Sequence, residues 1–336
     1  MLVSPSLRPP VTLRPSFSFY VSASNVGLIL RAADFGDSVT IVGKGGPSVI
    51  RTLRRGGFQR PVLFDGQGYK TDGLDPAEWV ASQRNADADR CLLPGVFVPW
   101  DAHDNAPMVD QIKIQADLAH RLDATVLVAI DSRWLAHRST MLVDEFNAAG
   151  VPVALVLANR ADPLGDRRAV EGLRMVGRHV PQISVLRCDH GGLALPAFGG
   201  AHVSFGLTTT HRHFATPSMN PRRVFDNSAR VFIRDILDWF RASEIAGWLA
   251  AGPSITCFLP CCAGSPLERF FDPQENVVEH NMTTLADFAD YILDADPAER
   301  ANVFTAACNE AVSLYGLAGF RGPEKPKAQL TSWVFL

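Results

Sequence analysis

Three of the six cysteines fall within six residues, at Cys257, Cys261 and Cys262, and His280 follows eighteen residues after the last of them. Thiolate sulfurs with one imidazole make a closed tetrahedral zinc site, of the structural rather than the catalytic kind. The spacing is not that of a standard finger, and adjacent cysteines reach one metal only on an unusual backbone. Three buried, reduced cysteines without metal are the other reading. A second set of reactive residues closes a series of apolar runs. They are Asp65 in Asp65-Gly66-Gln67-Gly68-Tyr69, Asp101 after Trp100, Asp131 before Arg133, Asn159 before Arg160, Arg187 and Asp189 around Cys188, and His211-Arg212-His213. One aspartate at such a place is most simply the cap of the next helix. Six runs in succession that end in Asp, Asn, Arg or His are harder to explain by capping alone. If the runs are parallel strands, these side chains converge on one mouth. Carboxylates gathered there repel, so at least one has a raised pKa or faces a cation. Arg133, Arg160, Arg187 and Arg212 are at hand. The natural use is an acid–base or nucleophilic carboxylate. Gly66 and Gly68 let backbone approach a ligand, and Gln67 and Tyr69 suit a flat heterocycle. A tight turn explains the same glycines.

The elements that would position these residues recur regularly. Apolar, β-branched runs lie at 39–42, 61–64, 92–98, 125–130, 152–157, 183–186, 202–207 and 230–233, with a weaker one at 17–21. Each has the length of a buried strand and lacks strict alternation. Helical spacing marks 25–34, 110–122, 140–149 before Gly150, and 167–180. This cadence predicts an α/β chain, a (β/α)8 TIM-type barrel, and the late cysteines with His280 add the expectation of a C-terminal helical Cys/His (zinc-clip-like) extension. An open doubly wound sheet gives the same local pattern. No glycine fingerprint follows the first strand, and Gly43-Lys44-Gly45-Gly46 lacks the spacing of a P-loop. The expected division is a flexible tail over 1–16, the barrel over 17–250, and the Cys/His clip with C-terminal helices over 251–336.

Of the 336 residues, 47% are hydrophobic and 20% charged, which suffices for a large core. A net charge of −3 carries no global nucleic-acid signature. Arg222, Arg223, Arg230, Arg234 and Arg241 form a local basic segment, which is either a phosphate-binding face or a solvated surface. No apolar run is long enough to span a membrane, and six scattered cysteines make no disulfide framework. The expectation is a cytoplasmic, reduced protein with no membrane partner.

The C-terminal part resembles the tRNA-guanine transglycosylase superfamily, including its relatives that insert 7-deazaguanines into DNA. The family pattern is Cys-x-Cys-x-x-Cys followed by a histidine in a His-Asn-hydrophobic context. Cys257 and Cys262 stand at its first and third cysteines, Leu259 stands at the second, with Cys261 nearby, and His280-Asn281-Met282 matches the closing element. Asp65-Gly66-Gln67-Gly68-Tyr69 is similar to the family's Asp-Ser-Gly-Gly-(Tyr/Phe)-Gln turn, matching at Asp65, Gly68 and Tyr69. The resemblance implies a zinc-clipped barrel that exchanges a purine or 7-deazapurine base in tRNA or DNA through a carboxylate nucleophile. It implies that Asp65 handles protons, with Asp189 or Asp131 attacking and Asp235 a rival. Asp101 and Asn159 would read the base edge, Gly68, Tyr69 and Arg187 would line the site, and His211 and Arg212 would hold phosphate. Structural zinc would be bound by Cys257, Cys261, Cys262 and His280. Partners would be nucleic acid and a purine-like base, and both homo- and hetero-oligomers are open. The other readings are a small-molecule barrel hydrolase or lyase with an anion in its Asp/Arg/His mouth, and a non-catalytic nucleic-acid-binding barrel.

Overall fold

Alternation sets the first strand. In Ser16–Ser22 (β1), Phe17, Phe19 and Val21 pack outward while Tyr20 faces the opposite side, and 17–21 are all buried. A strand buried on both faces belongs inside an α/β body. The structure, a computed structural model, describes residues 15–71, 73–215, 228–249, 255–272, 275–315 and 325–334. The expected tail lies almost wholly outside them, as do Arg222 and Arg223.

Helix Val26–Phe35 (α1) follows, with the Asn25 side chain accepting the Leu28 N–H at 3.0 Å. Then come Ser38–Val42 (β2), Gly46–Arg55 (α2), Val62–Asp65 (β3), Pro76–Arg84 (α3), Val96–Val98 (β4) and Ala106–Leu122 (α4). Val126–Asp131 (β5), Arg133–Ala149 (α5), Val153–Ala158 (β6), Arg167–His179 (α6), Ile183–Cys188 (β7), Ala194–Ala197 (α7) and His202–Gly206 (β8) complete the body. All eight strands pair in parallel in the order β3-β2-β1-β8-β7-β6-β5-β4. The first and last strands are therefore neighbours. The remaining edges meet through one parallel bridge, Leu63 to Arg90, and the chain joins β5 from Leu92 to Thr125. This is a (β/α)8 barrel, parted between β3 and β4 beyond that bridge.

The eight strands are not the eight expected. Segment 16–22 is a full member, and Arg230–Ile233 (β9) is not. It pairs antiparallel with Asp238–Arg241 (β10) across a turn that holds Leu237 at φ 46°. A connection that short cannot make the crossover a parallel neighbour requires. Beyond the hairpin come Ala242–Leu249 (α8), the small ladder of Thr256–Cys257 (β11) with Ser265–Pro266 (β12), then Val277–Leu293 (α9), Arg300–Tyr315 (α10) and Ala328–Val334 (α11). Helix α9 packs on α1 and β1, α10 on α7, and α11 on α6. Among the described residues no helix is long and apolar enough to cross a membrane.

The N-terminal end of the barrel interior is polar. His202 Nδ1 lies 2.9 Å from Ser16 Oγ and Nε2 3.0 Å from Ser18 Oγ, and Ser18 reaches Thr40 and Ser204. Burial, reinforced by the Arg90 charge, pushes the His202 pKa down to about 3. The unfolded chain takes up this proton near pH 6.5, whereas the folded chain resists it, so stability falls as pH drops below about 6.5. The wild type should lose roughly 2 kcal/mol between about pH 6.5 and pH 5 that His202→Gln does not lose. Urea midpoints of both proteins at the two pH values check this. Parallel pH dependences would show that His202 is not held neutral.

Candidate active site at the barrel mouth

Asp65 ends β3. Val62 and Phe64 pack outward against the helices, so period two turns Asp65 into the barrel, where it is fully buried. Its Oδ2 accepts the Tyr20 hydroxyl from β1 and the Tyr69 hydroxyl, the latter at 3.1 Å, and its Oδ1 accepts the Gln67 N–H at 2.7 Å. Burial pushes the Asp65 pKa above the ordinary carboxylate value. The hydrogen bonds from Tyr20, Gln67 and Tyr69 and the Arg187 charge oppose this. Both tyrosines are pushed up, first by burial and then by Asp65, so each stays a proton donor. A buried carboxylic acid joined to two phenols can hold and pass a proton.

Arg187 reaches this group by a backbone irregularity. Val185 and Cys188 of β7 face outward and Leu186 inward, with a register shift against β8 between Val185 and Cys188. The extra residue lets Arg187 follow Leu186 inward. Its φ is 55°, a left-handed conformation that costs an arginine of order 1 kcal/mol. Nη1 donates to Tyr69 Oη at 3.3 Å and Nη2 to the Thr210 carbonyl at 2.7 Å, while the buried Nε meets no partner. Among the described residues no carboxylate lies within ion-pair distance of it. Phe214 folds over the mouth, its ring 5.1 Å from Tyr69, 5.4 Å from Phe97 and 5.4 Å from the Arg187 guanidinium. His211 packs edge-on to Tyr20 at 5.4 Å, and burial, then Arg187 and Lys70, push its pKa down to about 4. It is neutral near pH 7 and brings no charge to a phosphate.

The other residues singled out in the sequence are more dispersed. Asp131, at the end of β5, is buried and bonds Arg133 Nη2 at 2.7 Å. Asn159 donates to Ser132 Oγ at 2.7 Å. Asp101 is exposed and caps its own loop through the His103 N–H. Asp189 accepts the Gly191 N–H at 3.1 Å, as the capping alternative foresaw, and sits with other neighbours than Asp65 has. Burial, then the Asp189 charge, push Asp162 well up, and Asp238 takes Tyr315 and Lys327. Arg212 is buried with its guanidinium 3.7 Å from the Trp239 ring centre. Gly68 is small because Pro94 crosses it: a Cβ there would collide with the Pro94 carbonyl. Tyr20 and Lys70 escaped the sequence reading. Tyr20 left a signal, an inward-phase hydroxyl in a buried strand, but Lys70 left none.

The four metal-ligand candidates do converge. One ligand atom from each of Cys257, Cys261, Cys262 and His280 lies within 4.8 Å of the others. The turn after β11 makes this work. Cys262 and Ala263 both donate N–H to the Leu259 carbonyl, and Ala263 and Gly264 are left-handed, at φ 49° and 84°. His280 Nε2 lies 2.9 Å from the Phe232 carbonyl, which turns Nδ1 to the cysteines, 3.2 Å from Cys262 Sγ and 3.8 Å from Cys261 Sγ. Burial raises the Cys262 thiol, but His280 and Arg269, whose Nη2 lies 3.1 Å away, outweigh it and bring it down to about 6. Asn281 bonds both ways to β9, accepting from Phe232 N–H and donating to the Arg230 carbonyl. The donor set suits a metal ion, and the cluster lies on the C-terminal layer.

No family model matches the chain, and no curated protein matches it. Among solved structures it is similar to a tryptophan synthase alpha-subunit from the hyperthermophile Pyrococcus furiosus. The two are 13% identical with a TM-score of 0.39, covering 58% of this chain and 89% of that one. It is also similar to 3-keto-L-gulonate-6-phosphate decarboxylase from Vibrio cholerae, at 15% identity and TM-score 0.38, covering 58% and 91%. Likenesses this distant carry nothing about chemistry. The kinship with tRNA-guanine transglycosylases is corrected: neither neighbour is one, and no family model supports it. Base exchange in nucleic acid is corrected with it. Of the cations counted on for phosphate, Arg234 pairs with Asp287 at 3.1 Å, Arg230 with Glu244 at 3.9 Å, and Arg212 packs on Trp239.

Proposed function

We propose that the protein is a small-molecule enzyme of the hydrolase or lyase type, with an anionic substrate at the barrel mouth. Asp65 carries the proton, Tyr20 and Tyr69 orient it, and Arg187 supplies the charge that holds the substrate. The observation that supports this most is the buried Asp65–tyrosine group beside an arginine that has no carboxylate partner among the described residues and is held in a strained conformation. Backbone strain clusters at functional sites, and in a parallel barrel chemistry sits at the strand ends. The test is thermal stabilisation by inorganic phosphate and a panel of small phosphorylated and carboxylated compounds, followed by turnover of the binders by NMR. Binders should raise Tm by several degrees in the wild type and not in Arg187→Met. Equal shifts in both proteins would overturn the reading.

We also infer that the Cys3His cluster holds zinc in a structural role. All four donors are protein groups, which leaves no open position for a substrate. Bound there, zinc would tie the turn after β11 to α9, and through His280 and Asn281 to the β9 edge.

A further inference from the structure

Lys70 follows Tyr69 in the turn beyond β3 and lines a cleft of about 810 Å³, with Tyr69, Gly95, Phe97, Gln111 and Gln115 on its walls. The cleft opens where β3 and β4 part, and its volume suits a small ligand. The Lys70 ammonium donates to Gln67 Oε1 at 2.6 Å, and so is tied to the residue whose N–H holds Asp65. It stands 5.8 Å from the centre of the Phe214 ring, the ring that Arg187 also approaches. Among the described residues it has no carboxylate within ion-pair distance. Gln115, buried on α4, leaves its Oε1 without a partner beside the same cleft. Tyr69 joins the parts: it lines the cleft beside Lys70, donates to Asp65 and accepts from Arg187.

We propose that Lys70 forms an imine with a carbonyl compound bearing an anionic group. This rests on the reading of the mouth as a small-molecule site and narrows it to lyase chemistry. The neutral Nζ adds to the carbonyl carbon, a C–N bond forms as the C=O π bond opens onto oxygen, and the nitrogen's surplus proton passes to that oxygen to give the carbinolamine. The carbinolamine hydroxyl then leaves as water, taking a proton passed from Asp65 through the Tyr69 hydroxyl, and a protonated imine remains. Water reverses both steps. Arg187 holds the anionic group. The titratable and charged groups that act on Lys70 are Asp65 at the end of β3, Arg187 from β7 and His211 after β8, and Asp110 on α4 lines the same cleft. Burial, then the Arg187 charge, push the Lys70 pKa down to about 8, against the pull of Asp65.

The probe is pyridoxal 5′-phosphate, an anionic aldehyde, trapped with sodium borohydride on the full chain and mapped by peptide mass. At about pH 7.5 Lys70 should be labelled roughly a hundredfold faster than the exposed Lys44 and Lys113, with a half-maximum near pH 8. Inorganic phosphate should slow the reaction at Lys70, and Lys70→Met should lose the fast adduct. Labelling of Lys70 no faster than of Lys44 overturns the imine. If phosphate still stabilises the wild type and not Arg187→Met, the anion-site reading survives that failure. Fast labelling that phosphate neither slows nor accompanies with a Tm shift supports the imine and overturns the anion site.

Discussion

Asp65→Asn is expected to lower turnover of any substrate found for the barrel mouth by a hundredfold or more, with little change in KM. Asparagine keeps the shape of the carboxyl and its bond to the Gln67 N–H, but it cannot carry a proton. The loss should fall on kcat because the substrate's charge is met by Arg187, not by Asp65. Tm should stay within a few degrees, which separates lost chemistry from lost fold. In the wild type the limb of the rate profile that Asp65 sets should lie above the ordinary carboxylate range, since burial raises the Asp65 pKa. Tyr20→Phe should move that limb higher still, because the Tyr20 hydroxyl bond lowers the value. Full turnover in Asp65→Asn would remove Asp65 from the mechanism.

Loss of the metal is the second large effect. Wild type grown with zinc and purified without chelators should carry about one zinc per chain, and Cys262→Ser should carry almost none. Cys262 is the natural target because it is buried and its sulfur is closest to His280 Nδ1. Tm should fall by about 5 °C or more, since binding energy at such a site is folding energy. Cys308→Ser serves as the control, because Cys308 sits buried on α10, outside the cluster. Metal-free wild type would show that the cluster is three reduced cysteines beside a histidine. Equal metal in Cys262→Ser would exclude Cys262 as a ligand.

The sequence by itself determined the strand-and-helix cadence and the residues that end the strands. Local pattern is enough there, because a buried parallel strand needs only a short apolar run. It also put Cys257, Cys261, Cys262 and His280 in one group, since three of them share a single turn. It could not choose which runs close the ring. Segment 16–22 and Arg230–Ile233 look alike locally, and only the short return to β10 takes the latter out of the barrel. The site was legible at Asp65 and opaque around it. Tyr20, Arg187 and Lys70 lie far apart in the chain or turn inward through a bulge, and no periodicity reports a bulge. The motif likeness misled for a related reason. A few matched residues fix a turn and a clip, whereas reaction class depends on what surrounds a carboxylate. Tertiary structure alone placed two phenols, a strained arginine and a lysine there, because desolvation and charge act through space rather than along the sequence.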